Sequence, residues 1–370
     1  VEVRLADALM QTTDREGAAV AAHAVWKRNG NNPVGKKYAA MAVSRYQALG
    51  GQYQKQGGEL SEDVFNRMPN GTFAQFMGEN AAKLYATMEL RVESNRVIAK
   101  LLQRRMAGDA NSQRQWHLLT AQNYEKLQQY TNAAAAYQRV RQIRDEANLL
   151  YSQVMNVYNS QANPAQTESL LNQFKSKYPN DARKWTLQLY VANQYLGAMN
   201  KSKALALIRD ALQGDAVTFD AAGIFLRENG SELPRLQDTE RAFRAAIGKQ
   251  KHPASRARLY RYLAFSIYTG EAVNKNRSLA LCREFLSRWA ENSGDTHTMI
   301  NYLFVNSPND NTFRNDVKMV LAARKKSLQY SNLLNYPKAW LAANKSNKDL
   351  KTRVAILKQA LAAADQDPLL

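Results

Sequence analysis

Apolar residues recur along this chain at spacings of three and four, and almost nowhere in strict alternation. Phe73, Phe76, Met77, Leu84, Met88, Val92 and Leu101 fall on one side of a helix, or of two joined end to end. The same spacing predicts helices over Lys36–Leu49, Arg256–Tyr268, Arg277–Trp289, Thr312–Tyr330 and Asp349–Ala364. Ala, Leu, Gln, Lys and Arg, all good helix formers, dominate these segments. No run alternates β-branched with polar residues, and no Asn-Gly pair joins two such runs. Turn signals separate the helices at Asn29–Pro33, Gly50-Gly51, Gly57-Gly58, Asn70-Gly71, Asn229-Gly230 and Ser307–Asp310. The pattern predicts an all-α chain.

Between Thr120 and Ile143 the sequence reads TAQNYEKLQQYTNAAAAYQRVRQI, with small Ala121 and Ala133 set among bulky Tyr124, Leu127, Tyr130, Tyr137 and Val140. An offset of 34 carries Tyr124 to Tyr158, Tyr137 to Leu171 and Val140 to Phe174, and Pro179 closes that second unit. A third is looser, with Ala192, Tyr195, Ala204, Ile208 and Ala211; a fourth spans Leu263–Leu286 with Ala264, Ile267 and Ala280. This arrangement resembles the tetratricopeptide repeat (TPR), a helix–turn–helix unit of about 34 residues. His117 holds the pattern's early Trp position, with Trp116 beside it. The resemblance implies an α-α superhelix, a TPR-like solenoid of antiparallel helix pairs that share a continuous core. The expected organisation is an N-terminal helical region packed on the solenoid (1–110), TPR-like repeats (111–290, best matched at 115–214) and a C-terminal helical cap (291–370).

Composition adds charge to this picture. The 370 residues carry 51 Lys and Arg against 32 Asp and Glu, a net charge of +19. Such a surplus favours acidic partners: acidic peptides, nucleic acid, anionic lipid surfaces or acidic polysaccharide. The densest basic stretch runs through Arg241, Arg244, Lys249, Lys251, Arg256, Arg258 and Arg261, which reads either as a solvated helix face or as an anion-binding patch. The richest apolar stretch, Ala18–Trp26, is broken by His23 and falls short of the roughly 20 residues a membrane span needs, which predicts a soluble chain. Cys282 is the one cysteine, excluding an intrachain disulfide and a cysteine-based zinc site. Val1 at the start is compatible with a processed terminus, and both a cytoplasmic and an exported, periplasmic location fit.

Catalytic signals are fragments. Gly30-Asn-Asn-Pro-Val-Gly35-Lys36 meets the first seven positions of the phosphate-binding P-loop, but Lys37 replaces the hydroxyl that holds magnesium, and a helix rather than a strand precedes it. Glu93-Ser94 resembles the Glu-Ser pair of lytic transglycosylases, without the Gly-Leu-Met-Gln stretch those enzymes carry downstream and without a second positioned carboxylate. His23, His117, His252 and His297 lie far apart, with no metal-ligand spacing, and Cys282 falls on the apolar side of its helix with no neighbouring His to activate it. Neither Gly-x-Ser-x-Gly nor Gly-x-Gly-x-x-Gly occurs. The expectation is no enzyme and no cofactor.

What remains is surface. In TPR proteins the first helix of each unit commonly lines a groove that takes peptides or protein segments, and here its polar positions are Gln122, Asn123, Asn156, Asn159, Asn193 and Gln194. Amide side chains both donate and accept, which suits an extended backbone. The function expected is a non-catalytic scaffold binding a protein or peptide segment. The alternatives are a polyanion-binding helical-repeat protein, taking nucleic acid or acidic polysaccharide, and an accessory part of a secretion or polysaccharide-export apparatus.

Overall fold

The structure, a computed structural model, describes residues 1–214, 222, 236–267, 275–288, 294–325 and 333–366. Among these residues there are nineteen α-helices and no strand. None of the helices is long and apolar enough to cross a membrane. The chain divides into two compact units, Val1–Pro179 and Asn180–Leu370. This boundary falls inside the stretch that the sequence groups as one repeat region.

The first unit holds α1 (Glu2–Met10), α2 (Arg15–Asn29), α3 (Pro33–Leu49), α4 (Gln52–Arg67), α5 (Thr72–Thr87), α6 (Arg91–Gln103), α7 (Ala110–Lys126), α8 (Tyr130–Ile143), α9 (Ala147–Asn159) and α10 (Pro164–Lys177). Each packs against its neighbours in sequence, so the unit is a stack of helix pairs. The second unit holds α11 (Arg183–Gly197), α12 (Lys201–Ala211), α13 (Leu236–Lys249), α14 (Pro253–Tyr262), α15 (Lys275–Arg288), α16 (Gly294–Asn306), α17 (Asp310–Lys325), α18 (Asn335–Asn344) and α19 (Lys351–Asp365). A π-turn over Leu263–Ile267 extends α14. This is the TPR-like architecture.

The repeat reaches further toward the N-terminus than the match at Thr120–Ile143 implies. Second helices carry a small buried residue at Gly57, Ser94, Ala133, Thr167, Ala204 and Ser278. Four residues on stand Ser61, Ile98, Tyr137, Leu171, Ile208 and Cys282, and seven on stand Val64, Leu101, Val140, Phe174, Ala211 and Phe285, all buried. The small residue lets two helices approach closely, and the larger ones fill the gap to the next pair. First helices carry Tyr46, Tyr85, Tyr124, Tyr158 and Tyr195 near their ends. The first three are 39 residues apart, a longer period than 34.

Ser278, rather than the expected Ala280, takes the small position of the fourth pair. Its Oγ donates to the Ala264 carbonyl at 2.7 Å, as Ser94 does to Ala82 at 2.9 Å, while Ala280 is exposed. The internal turn of that pair, 268–274, lies outside the described residues, as does the expected turn at Asn229-Gly230. Gly57-Gly58 is no turn. Both residues are buried inside α4, where a Cβ would stand 3.2 Å from Tyr46 Cβ and 3.0 Å from the Tyr85 ring. Nor do Phe73 to Leu101 form one face of end-to-end helices. They fold back as α5 and α6, leaving Phe76 and Val92 exposed.

The fold-back is made by a residue in the left-handed region: Glu89 (φ 61°), Gln128 (57°), Gln161 (54°) and Met199 (59°). At three of these turns the following N–H reaches back to the repeat tyrosine's carbonyl: Leu90 to Tyr85, Gln129 to Tyr124, and Asn200 to Tyr195, at 2.8–2.9 Å. That bond satisfies a carbonyl that the helix end would otherwise leave open.

Candidate binding surfaces

The would-be phosphate loop is an interhelical turn. Helix α2 precedes it, Asn32 caps α3 by accepting from the Gly35 N–H at 2.7 Å, and Gly35 is buried against backbone. A Cβ on Gly35 would lie 2.1 Å from the Gly30 carbonyl oxygen. Gly35→Ala is therefore expected to destabilise the chain by about 1–3 kcal/mol, a shift in urea midpoint read by circular dichroism. Ser94 is consumed by its bond to Ala82, and Glu93 is half-buried in the first turn of α6. Burial pushes His23, His117 and His297 below the ordinary histidine pKa, and His252 is exposed. Among the described residues no three His, Cys, Asp or Glu side chains stand together as a metal site.

Cys282 packs in the core of the second unit, where burial pushes its thiol up to about 12. A thiolate, the reactive form, is scarce at such a pKa. In the native chain at pH 8 the thiol is expected to resist a chromogenic disulfide reagent for hours and to react within seconds in urea. Rapid modification of the native chain would show that the helix face is open.

Several cations of the second helices are tied to carboxylates on the neighbouring second helix. Arg96 (2.7 Å) and Lys100 (3.7 Å) of α6 both reach Glu62 of α4, to which Tyr85 also donates at 3.0 Å. Burial, and then the Glu62 charge, raise the Tyr85 pKa. In the second unit Arg244 grips both oxygens of Glu284 at 2.7 and 2.8 Å and also meets Glu240, while Arg283 grips Asp316 at 2.7 and 3.0 Å. Other arginines close helix ends. Arg104 donates to the Phe65 and Met68 carbonyls past α4, and Arg353 to those of Phe304 and Ser307 past α16. A guanidinium there satisfies open carbonyls and faces the negative end of the helix dipole.

In the basic stretch of the second unit several side chains are likewise engaged within the protein. Arg258 and Arg261 share Asp295 at 3.6 and 2.5 Å, and Arg256 donates to the Gln250 and Lys251 carbonyls at 3.1 and 3.2 Å. Lys249 donates to Gln213, Arg241 is likewise engaged, and Lys251 is exposed. Arg244, Arg258 and Arg261 of the patch thus meet carboxylates, while Lys251 stays open to solvent.

The six amides expected in a groove divide. Asn123 is 1 % exposed and donates to Ser94 Oγ (3.1 Å) and Asn95 Oδ1 (2.9 Å). Asn156 is 2 % exposed and donates to Glu125 at 2.6 Å. Both tie helices together inside the stack. Gln122 and Asn159 in the first unit, and Asn193 in the second, are exposed, and Gln194 is half-buried.

Gln122 belongs to a strip that repeats in register. The exposed faces of three first helices show Lys37, Ser44 and Ala48 on α3; Phe76, Lys83 and Thr87 on α5; and Gln115, Gln122 and Lys126 on α7. Each set is shifted by 39 from the one before. The nine residues include three cations and no carboxylate, and none of the three lysines is ion-paired among the described residues. Lys37 lies 5.2 Å from the Tyr38 ring centre and Lys83 lies 5.6 Å from that of Trp116.

On the other side, three clefts recur between consecutive second helices, each reached by the repeat tyrosine. The α2/α4 cleft, about 580 Å³, holds Tyr46 with His23, Glu59 and Asp63. The α4/α6 cleft, about 450 Å³, holds Tyr85 with Glu62, Glu93 and Arg96. The α6/α8 cleft, about 410 Å³, holds Tyr124 with Asn95, His117 and Arg139, and no carboxylate lines it. Such volumes suit small ligands or single side chains.

No known family matches this chain, and no curated protein is similar to it in sequence. Among solved structures it is similar to a chain of Naa15/Naa10 bound to HypK-THB, at 13 % identity and a TM-score of 0.47, over 100 % of this chain and 55 % of that one. It thus spans about half the length of that neighbour. A tetratricopeptide repeat protein from Parabacteroides merdae aligns at 13 % identity and TM-score 0.31, over 72 % of this chain and 97 % of that one. The P58(IPK) TPR domain aligns at 13 % and 0.26, over 99 % of both. These are likenesses of fold alone.

Proposed function

We propose that the chain is a non-catalytic scaffold that binds an acidic protein segment along the exposed first-helix strip of its first unit. The observation that supports this reading is a sorting of charge. Several second-helix cations meet carboxylates within the stack, while Lys37, Lys83 and Lys126 stand in register with no carboxylate. Unpaired lysines beside exposed Phe76 offer charge and apolar contact at repeat spacing, which fits an extended chain carrying Asp or Glu and one apolar side chain. Gln115 and Gln122 supply hydrogen bonds to its backbone.

The test is a labelled twelve-residue peptide rich in Glu with a single Leu, followed by fluorescence anisotropy. The triple variant Lys37→Glu, Lys83→Glu, Lys126→Glu is expected to weaken binding at least about tenfold, with unchanged circular dichroism because all three side chains are exposed. Unaltered binding would remove the strip from the interface. The overall charge of +19 supports the polyanion reading. That reading prevails if a single-stranded oligonucleotide binds more tightly than the peptide, with a steep fall in log affinity against log salt.

A further inference from the structure

The α6/α8 cleft departs from the α4/α6 interface, where Arg96 and Lys100 both find Glu62 one repeat away. Arg139 occupies, 39 residues on, the place of Lys100 in the preceding interface. Lys100 reaches Glu62, but the place of Glu62 is taken here by Ala99, and that of Arg96 by Ala135. Arg139 therefore has no carboxylate among the described residues and stands exposed at the cleft wall. A second donor is also unfulfilled. Asn95, 7 % exposed, lines the inner wall; its Oδ1 accepts from Asn123, while its Nδ2 is buried with no acceptor. Buried donors without acceptors are rare in folded proteins and carry a real cost, so such a group points to an acceptor that arrives from outside.

We infer that this cleft is a binding site for a small free carboxylic acid with an apolar body. The carboxylate supplies the negative charge that Glu62 supplies one interface earlier, and a planar guanidinium binds it through two parallel N–H bonds. Asn95 Nδ2 donates to an oxygen of the ligand, and the ring of His117, uncharged near neutral pH because burial and then Arg139 depress its pKa, adds a neutral donor. One full cation among the lining residues matches a monoanion better than a phosphate dianion. Ile98, Leu102 and Ala136 line the rest of the roughly 410 Å³ and receive the apolar body, in a volume suited to about ten heavy atoms. The site lies away from the lysine strip, on the opposite face of α7, and does not depend on that reading.

Isothermal titration of the full chain with 3-phenylpropionate and with hexanoate tests it. Saturable binding is expected, with no binding of 3-phenylpropionamide or hexanamide. Arg139→Gln is expected to weaken the acids at least about tenfold while leaving the fold intact, since Arg139 is exposed and makes no ion pair among the described residues. Ala99→Glu, also at an exposed position, is expected to restore the carboxylate of the preceding interface and abolish binding by occupying Arg139 from within. The inference is overturned if neither acid binds at millimolar concentration, if the amides bind equally, or if both variants bind as the parent does. It is equally overturned if the free acids fail while a peptide ending in a free carboxylate binds and its amidated form does not. Such a result would assign the cleft to chain termini instead.

Discussion

Replacing Asp316 by alanine is expected to cost the second unit about 1.5–3 kcal/mol of stability, the loss of charge-assisted hydrogen bonds at a buried carboxylate whose partner is a third exposed. Asp316 is 2 % exposed and takes two bonds from Arg283 and one from the Ser307 hydroxyl. Without it, the Arg283 guanidinium, a third exposed at the α15/α17 interface, exchanges two protein acceptors for water. Cys282, adjacent to Arg283 and fully buried, reports the outcome directly. The urea midpoint for its modification should fall well below that of the parent. The double change Arg283→Met, Asp316→Leu removes both charges and should recover most of the loss, because burying ions is itself expensive. If Asp316→Ala leaves the midpoint within the scatter of replicates, the pair is not closed in solution.

The second large effect is expected at Phe65. Its ring is fully buried, and the space beside it is so limited that a Cβ on Gly78 would come within 2.9 Å of Phe65 Cδ2 and 2.8 Å of Leu101. Above the ring lies the Arg104 guanidinium, 4.5 Å from the centre, fixed by its bonds to the Phe65 and Met68 carbonyls. Phe65→Ala empties this site, and backbone-bound neighbours cannot collapse into it, so a loss of about 3–5 kcal/mol is expected. Hydrogen exchange on peptides from α4 to α6 should show the loss there. Gly78→Ala gives the coupling. In the parent the added methyl crowds Phe65 and Leu101, whereas in the Phe65→Ala background Leu101 can shift into the emptied space and the methyl raises helix propensity by up to about 1 kcal/mol. A methyl with the same effect in both backgrounds would mean that the two residues do not share the space.

The helical class was legible because apolar spacing responds only to which face of a helix is buried, and the small and large positions around Ala121, Ala133, Tyr137 and Val140 recur with that spacing. The earlier pairs are harder to read because their period is 39 rather than 34, and because the α5/α6 turn carries Glu89 in the left-handed conformation where glycine is the usual signal. Their tyrosines, Tyr46 and Tyr85, were the readable trace. Charge was less legible still. Arg244 meets Glu284, Arg277 meets Glu240 and Arg283 meets Asp316 across one repeat of sequence, so a composition that looks like a free basic surface is in part internal pairing. Asn123 and Asn156 show the same limit at single positions. A polar residue on a first helix reads as solvent-facing until the neighbouring helix supplies Ser94, Asn95 or Glu125 to bond it.

The pairing between consecutive second helices also makes the modules unlike one another. Glu62 is met by Arg96 and Lys100, whereas the next step offers Ala99 against Ala135 and Arg139. Excising α5 and α6 would bring α4 against α8 and leave Glu62 with one cation where it now has two; exchanging modules would set like charges or empty contacts side by side. The charges thus act as an address that helps to set which module follows which.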